Sequence, residues 1–122
     1  MDVDIEKTEE LYKRLPYVWC QCQCPACRNF EERITAMRVD RFKPFKEMGV
    51  DVLKCQYLWA YEPGDKPSTQ KYCVRYPLVC KAVDFEDGRG WELFEKELLA
   101  CFALEDNEIC LVLDWTLKWN RV

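Results

Sequence analysis

The chain has 122 residues, 49% of them hydrophobic and 14% aromatic, with only four glycines. That suits a single domain around one core and excludes a low-complexity or disordered chain. A net charge of −4, no histidine and no apolar run of bilayer length exclude imidazole catalysis, a mixed Cys/His zinc site and a membrane-spanning helix.

Residues Asp2 to Leu15 predict a helix. Ile5, Thr8, Leu11, Tyr12 and Leu15 fall near one face, acids come early and bases late, and Pro16 stops it. The stretch YVWCQCQC alternates. It predicts a strand over Tyr17–Cys24 with Val18, Cys20, Cys22 and Cys24 on one face. Pro25 suits a first helical turn with Cys24 at its cap, and Cys27, Phe30, Ile34 and Met37 form one apolar stripe behind it. A short helix with Phe42, Phe45 and Met48 inward should end at Gly49, and Asp51 should cap a further turn through Cys55. YLWAYE reads as a strand, EPGDKPSTQ as an exposed loop, and KYCVRYPLVCKAVDF as a strand with an edge, bulge or bend at Pro77. EDGRG reads as a turn. From Trp91 the spacing of Trp91, Phe94, Leu98 and Cys101 predicts a second strong helix. In EICLVLDWTLKWN, alternate residues Ile109 to Trp119 are apolar without a break, which predicts a long strand supplying much of the core. The whole predicts one α+β domain over residues 1–122. It should hold a small antiparallel sheet of about three to five strands, packed against two main helices plus short helices.

Nine cysteines need a role. The first ten residues, MDVDIEKTEE, lack a signal-peptide pattern, so an intracellular, cytoplasmic protein is expected. An odd cysteine count in a reducing compartment disfavours a disulfide scaffold. Three uses remain. The thiols can pack as small hydrophobes, as the positions of Cys27 and Cys101 on helical stripes suggest. They can hold a structural zinc ion through Cys22, Cys24 and Cys27, with Cys55, Cys73 or Cys80 approaching in the fold. Cys24-x-x-Cys27 has the half-site spacing of thiolate zinc sites, but a flat strand would hold Cys20, Cys22 and Cys24 too far apart to share one ion easily, because alternate residues lie roughly 6.6 Å apart. Or Cys24 and Cys27 can act as a redox pair, with Cys24 a thiolate at a helix N-terminus and Cys27 resolving. Over Tyr17–Met37, strand then CPAC then helix resembles the thioredoxin-like class. That resemblance would make Val74-Arg75-Tyr76-Pro77 the counterpart of the class's proline loop.

CPACRNF, the later FKEMGVD and the Trp/Leu-rich final strand resemble small uncharacterised bacterial proteins with a CPxCRNF-type motif. The similarity runs from Trp19 to the end and implies a bacterial origin and a shared fold, without a mechanism.

Charge is uneven. Asp84 to Asp114 holds ten acids against two bases, while Arg28 to Lys54 holds seven bases against five acids. The acidic third would repel phosphate backbones, so nucleic-acid binding through it is not expected, and a basic protein partner is. Glu92, Glu95, Glu97, Glu105 and Asp106 are the candidate partner-binding residues. The expected function is a non-catalytic binding module of inhibitor or immunity type. Asp114, inside an apolar strand, should face solvent with Thr116 and Lys118, or pair with Arg75 if buried. Tyr17, Trp19, Tyr57, Trp59, Tyr61, Tyr72 and Tyr76 could supply either core or an exposed recognition patch.

Overall fold

The computed structural model describes residues 2–17, 22–37, 42–64, 68–82, 92–95, 98–105 and 108–119. In chain order the elements are β1 (Asp2–Val3), α1 (Ile5–Arg14), α2 (Pro25–Ala36), α3 (Lys43–Glu47), β2 (Tyr57–Pro63), β3 (Thr69–Pro77), β4 (Cys80–Ala82), β5 (Glu92–Glu95), β6 (Leu98–Glu105) and β7 (Glu108–Lys118). Strands β2-β3-β7-β6-β5 form one antiparallel sheet in that order, and β1 pairs with β4 in a separate two-stranded sheet. The molecule is a mixed α+β protein.

The alternation of the last segment decides the core. Ile109, Leu111, Leu113, Trp115 and Leu117 all turn to one side and are buried. β3 matches β7 residue for residue from Thr69↔Lys118 to Pro77↔Cys110, so Tyr72, Val74 and Tyr76 fall on the same side. Phe30 of α2 packs on this face against Tyr72 and Trp115, with ring centroids 5.4 and 6.1 Å away. Pro77 ends β3 where β2 no longer runs alongside. Its missing N–H therefore breaks no ladder, and the chain resumes as a strand only at Cys80.

α1 starts where Asp4 accepts the Lys7 N–H at 3.1 Å. It docks through polar as well as apolar contacts. Thr8, fully buried, accepts the Val79 N–H at 3.1 Å through Oγ1, and the Tyr12 hydroxyl donates to the Pro77 carbonyl at 2.9 Å. Ile5, expected on the buried face, is 46% exposed. α3 ends in a Schellman cap, with Gly49 N–H to the Lys46 carbonyl and Val50 N–H to the Phe45 carbonyl, both 3.0 Å. Gly49 has φ +86°, and a Cβ there would meet the Ile5 carbonyl oxygen of α1 at 2.8 Å. The residue both reverses the chain and lets α1 lie close.

Two expectations fail. Where a helix was predicted from Trp91, Glu92–Glu95 and Leu98–Glu105 are strands. Leu, Ala and Glu favour helix, but β6 pairs with β7 from Leu98↔Trp115 to Glu105↔Glu108, and the hydrogen-bonding edge of that long strand overrides propensity. Asp106 and Asn107, between the two strands in the chain, lie outside the described residues. The second failure is at the N-terminus: the helix expected from Asp2 begins only at Ile5, because Asp2–Val3 pair with β4 as strand β1 and Asp4 caps the helix. The strand expected over Tyr17–Cys24 falls in part outside the described residues. Residues 18–21 lie outside the described residues, and Cys22–Cys24 are irregular. The expected EDGRG turn and Trp91 also lie outside them.

Candidate metal centre

Cys24 caps α2. Its φ of −64° and ψ of 161° are extended, Pro25 follows at the first helical position, and its Sγ accepts the Cys27 N–H at 3.4 Å. The chain before it folds back so that the Cys24 N–H donates to Cys22 Sγ, also 3.4 Å. That local turn replaces the pleat and removes the strand-spacing objection. The Sγ atoms of Cys22, Cys24 and Cys27 all lie within 4.8 Å of one another. Cys22 and Cys24 are exposed and Cys27 is half-buried.

The electrostatics of the pair are unequal. The Cys27 N–H at the helix start holds the Cys24 thiol below its ordinary pKa, and burial partly opposes this. Burial first, then hydrogen bonding with Cys24, pushes the Cys27 thiol up. Cys24 is therefore the more readily ionised of the two.

The first turn of α2 is fixed to the sheet by groups that sequence reasoning misses. The Tyr72 hydroxyl donates to the Ala26 carbonyl at 2.8 Å, within the CPAC turn, and accepts from Asn29 Nδ2 at 3.1 Å. Asn29 Nδ2 also donates to the Lys118 carbonyl at 3.0 Å, and both Asn29 and Tyr72 are fully buried. Asn29 and Phe30 of CPACRNF thus tie the cysteine turn to the central strands. The only sequence signal for this is an amide beside the apolar stripe.

The other proposed ligands are placed elsewhere. Cys55 is buried in the core, Cys73 faces the opposite side of the sheet between Trp59 and Asp114, and Cys80 pairs with Val3. Among the described residues, only Cys22, Cys24 and Cys27 group in a way that could hold a metal. Val74–Pro77 is the end of β3 rather than a loop, and Tyr72, not Pro77, reaches the CPAC turn.

No protein-family model, curated protein or solved structure matches this chain. The chemistry is therefore read from its own atoms.

The acidic candidates are dispersed along the sheet. Glu92 and Glu95 lie on edge strand β5, and Glu105 lies at the far end of β6, opposite Glu108. Glu95 pairs with Leu98, so about 23 Å of strand separates its level from that of Glu105. Glu97 and Asp106 lie outside the described residues. The aromatic candidates divide: Tyr72 and Tyr76 are core, while Tyr57 and Trp59 are 42% and 55% exposed on β2. Trp19 lies outside the described residues. Asp114 is half-buried on the outer face and accepts the Tyr61 hydroxyl at 2.6 Å, so its shown partner is a tyrosine.

Proposed function

We propose that this protein is a non-catalytic module that binds a thiophilic divalent ion, zinc before others, through Cys22, Cys24 and Cys27. The observation that carries this reading is the convergence of three thiol sulfurs within 4.8 Å. Around tetrahedral zinc with bonds of about 2.3 Å, thiolate sulfurs sit roughly 3.8 Å apart, so closure asks for at most about 1 Å of adjustment. Soft thiolates select zinc, copper(I) or iron–sulfur chemistry over calcium and magnesium, which need oxygen ligands. The N–H groups of Cys24 and Cys27 direct their hydrogen bonds at Cys22 and Cys24 sulfur, which supports thiolate charge and orients the ligands. The ion would clamp the segment before α2 to its first turn. Three thiolates leave the fourth tetrahedral position to water or a further donor; the role proposed is structural, joining a turn already fixed to the sheet by Tyr72 to the chain leading into it.

The test is elemental mass spectrometry on protein purified anaerobically without chelator, with thiol alkylation on the same sample. About one zinc per chain is expected, with Cys22, Cys24 and Cys27 protected until chelator is added. Cys24→Ser or Cys27→Ser should lose the metal, and Cys73→Ser, on the other side of the sheet, should keep it. Metal-free protein with fast alkylation at Cys24 alone would sink the proposal and favour a dithiol role.

A further inference from the structure

A cleft lies at the other end of α2. The twelve residues of that helix span about 18 Å, with the thiols at the start and the cleft at the finish. The cleft holds about 570 Å³ and opens between α1, the end of α2, α3 and the 49–54 segment. Its apolar lining includes Ile34, Met37, Phe42, Val52 and Leu53. Met37, Phe42 and Leu53 are only half-buried, so apolar surface remains uncovered there.

The polar groups around it are biased. Lys13, Lys46 and Lys54 line it against Glu9 and Asp51, a local positive excess in a chain of net charge −4. Asp51 is turned to its own backbone, with Oδ1 accepting the Leu53 N–H at 3.0 Å. Lys54 is held in place: its Nζ donates to the Tyr12 carbonyl at 2.9 Å and lies 4.5 Å from the Tyr17 ring centre. The Schellman cap at Gly49 sets α3 against α1 and shapes the floor.

We propose that this cleft binds a small amphiphilic carboxylate, with its hydrocarbon tail on the Ile34–Phe42–Leu53 lining and its carboxylate at Lys13 and Lys46. The volume falls in the range of small-molecule sites, about 300–1,000 Å³. A protein partner would instead need about 800 Å² of surface on each side. The mixture is what an amphiphile requires, because an apolar tail gains by leaving water and a carboxylate gains from charge-assisted hydrogen bonds to ammonium groups. A neutral hydrocarbon would gain only the first, and a cationic amphiphile would be repelled.

Calorimetric titration of the full chain with decanoate, decan-1-ol and decyltrimethylammonium tests this. Decanoate should bind once per chain with a micromolar Kd, about tenfold tighter than decan-1-ol, and the cation should bind most weakly. The double variant Lys13→Gln/Lys46→Gln should remove the tenfold advantage while leaving decan-1-ol binding and the melting temperature unchanged. Leu53→Gln should weaken both ligands. No saturable binding of decanoate would overturn the proposal. So would equal affinity for acid and alcohol, or decanoate binding indifferent to the lysine pair. Zinc content is not expected to change in any of these variants, so the outcome is independent of the metal reading.

Discussion

At the scale of single residues, environment rather than identity separates the cysteines. Cys24 and Cys55 carry the same thiol. At the start of α2 a backbone N–H favours the thiolate of Cys24, whereas burial among core residues pushes the pKa of Cys55 up to about 11. A thiol whose folded pKa is raised leaves the folded state holding a proton that the unfolded chain has lost. Its stabilisation is complete below the ordinary thiol value of 9.0 and is lost as pH rises towards 11. Urea unfolding across that window should show stability falling, and Cys55→Ala should flatten the early part of the fall. Cys27, Tyr12 and Tyr76, also raised by burial, should retain the remainder. A slope unchanged by Cys55→Ala would mean this thiol is more accessible than its 2% exposure implies. Cys24 runs the other way. Its depressed pKa adds stability above the unfolded thiol value, lost as pH falls through the folded one.

At the scale of elements, α2 carries both proposed sites and is held by one polar cluster. Tyr72→Phe keeps the ring against Phe30 but deletes the hydroxyl that serves Ala26 and Asn29. Leaving those buried groups short of partners should cost about 1–3 kcal/mol in a denaturation curve. Because Ala26 lies between Cys24 and Cys27, the same change should weaken zinc binding by about tenfold, at the low end for residues that orient metal ligands. Normal stability with normal metal affinity in Tyr72→Phe would show that the cluster anchors nothing. Elements also mark the limit of sequence reading. The body of the first helix, though not its start at Ile5, the cap at Cys24, the Gly49 stop and the final strand were legible from periodicity and special residues. The segment from Glu92 to Glu105 was not, because its apolar spacing suits either a helix or a strand. What decides between them is a long-range partner, β7, invisible to any local window.

At the scale of the whole molecule, the ion and the fold should be coupled. Anything bound only by the folded state stabilises it by mass action. A hundredfold excess of free zinc over Kd contributes about 2.7 kcal/mol. For a chain of this length that corresponds to roughly 8–12 °C in melting temperature. Chelator should therefore lower the midpoint by that order, and zinc should restore it. Cys22→Ser should melt at the chelated value with or without zinc. A midpoint indifferent to chelator in the parent protein would remove the structural role.

The sequence alone determined the strongly marked parts: the body of the first helix, the cap and stripe of α2, the stop at Gly49, and the long final strand that supplies much of the core. It determined these because caps, prolines, glycines and alternation act within a few residues of chain. It also named the three thiols, with Cys24 and Cys27 at a metal half-site spacing, yet a flat strand set Cys22 too far from Cys24 to share an ion easily. Only the tertiary structure decided that Cys22, Cys24 and Cys27 converge, and that Cys55 and Cys73 do not join them. It alone placed Tyr72 beneath the CPAC turn, 46 positions along the chain from Ala26. It also dispersed the acidic residues along a sheet and gathered lysines from α1, α3 and the 49–54 segment around one cleft. The thiols meet through a local turn at Cys22–Cys24 that alternation does not reveal, and the other meetings depend on chain reversals and strand pairing between distant segments, which composition and spacing do not encode.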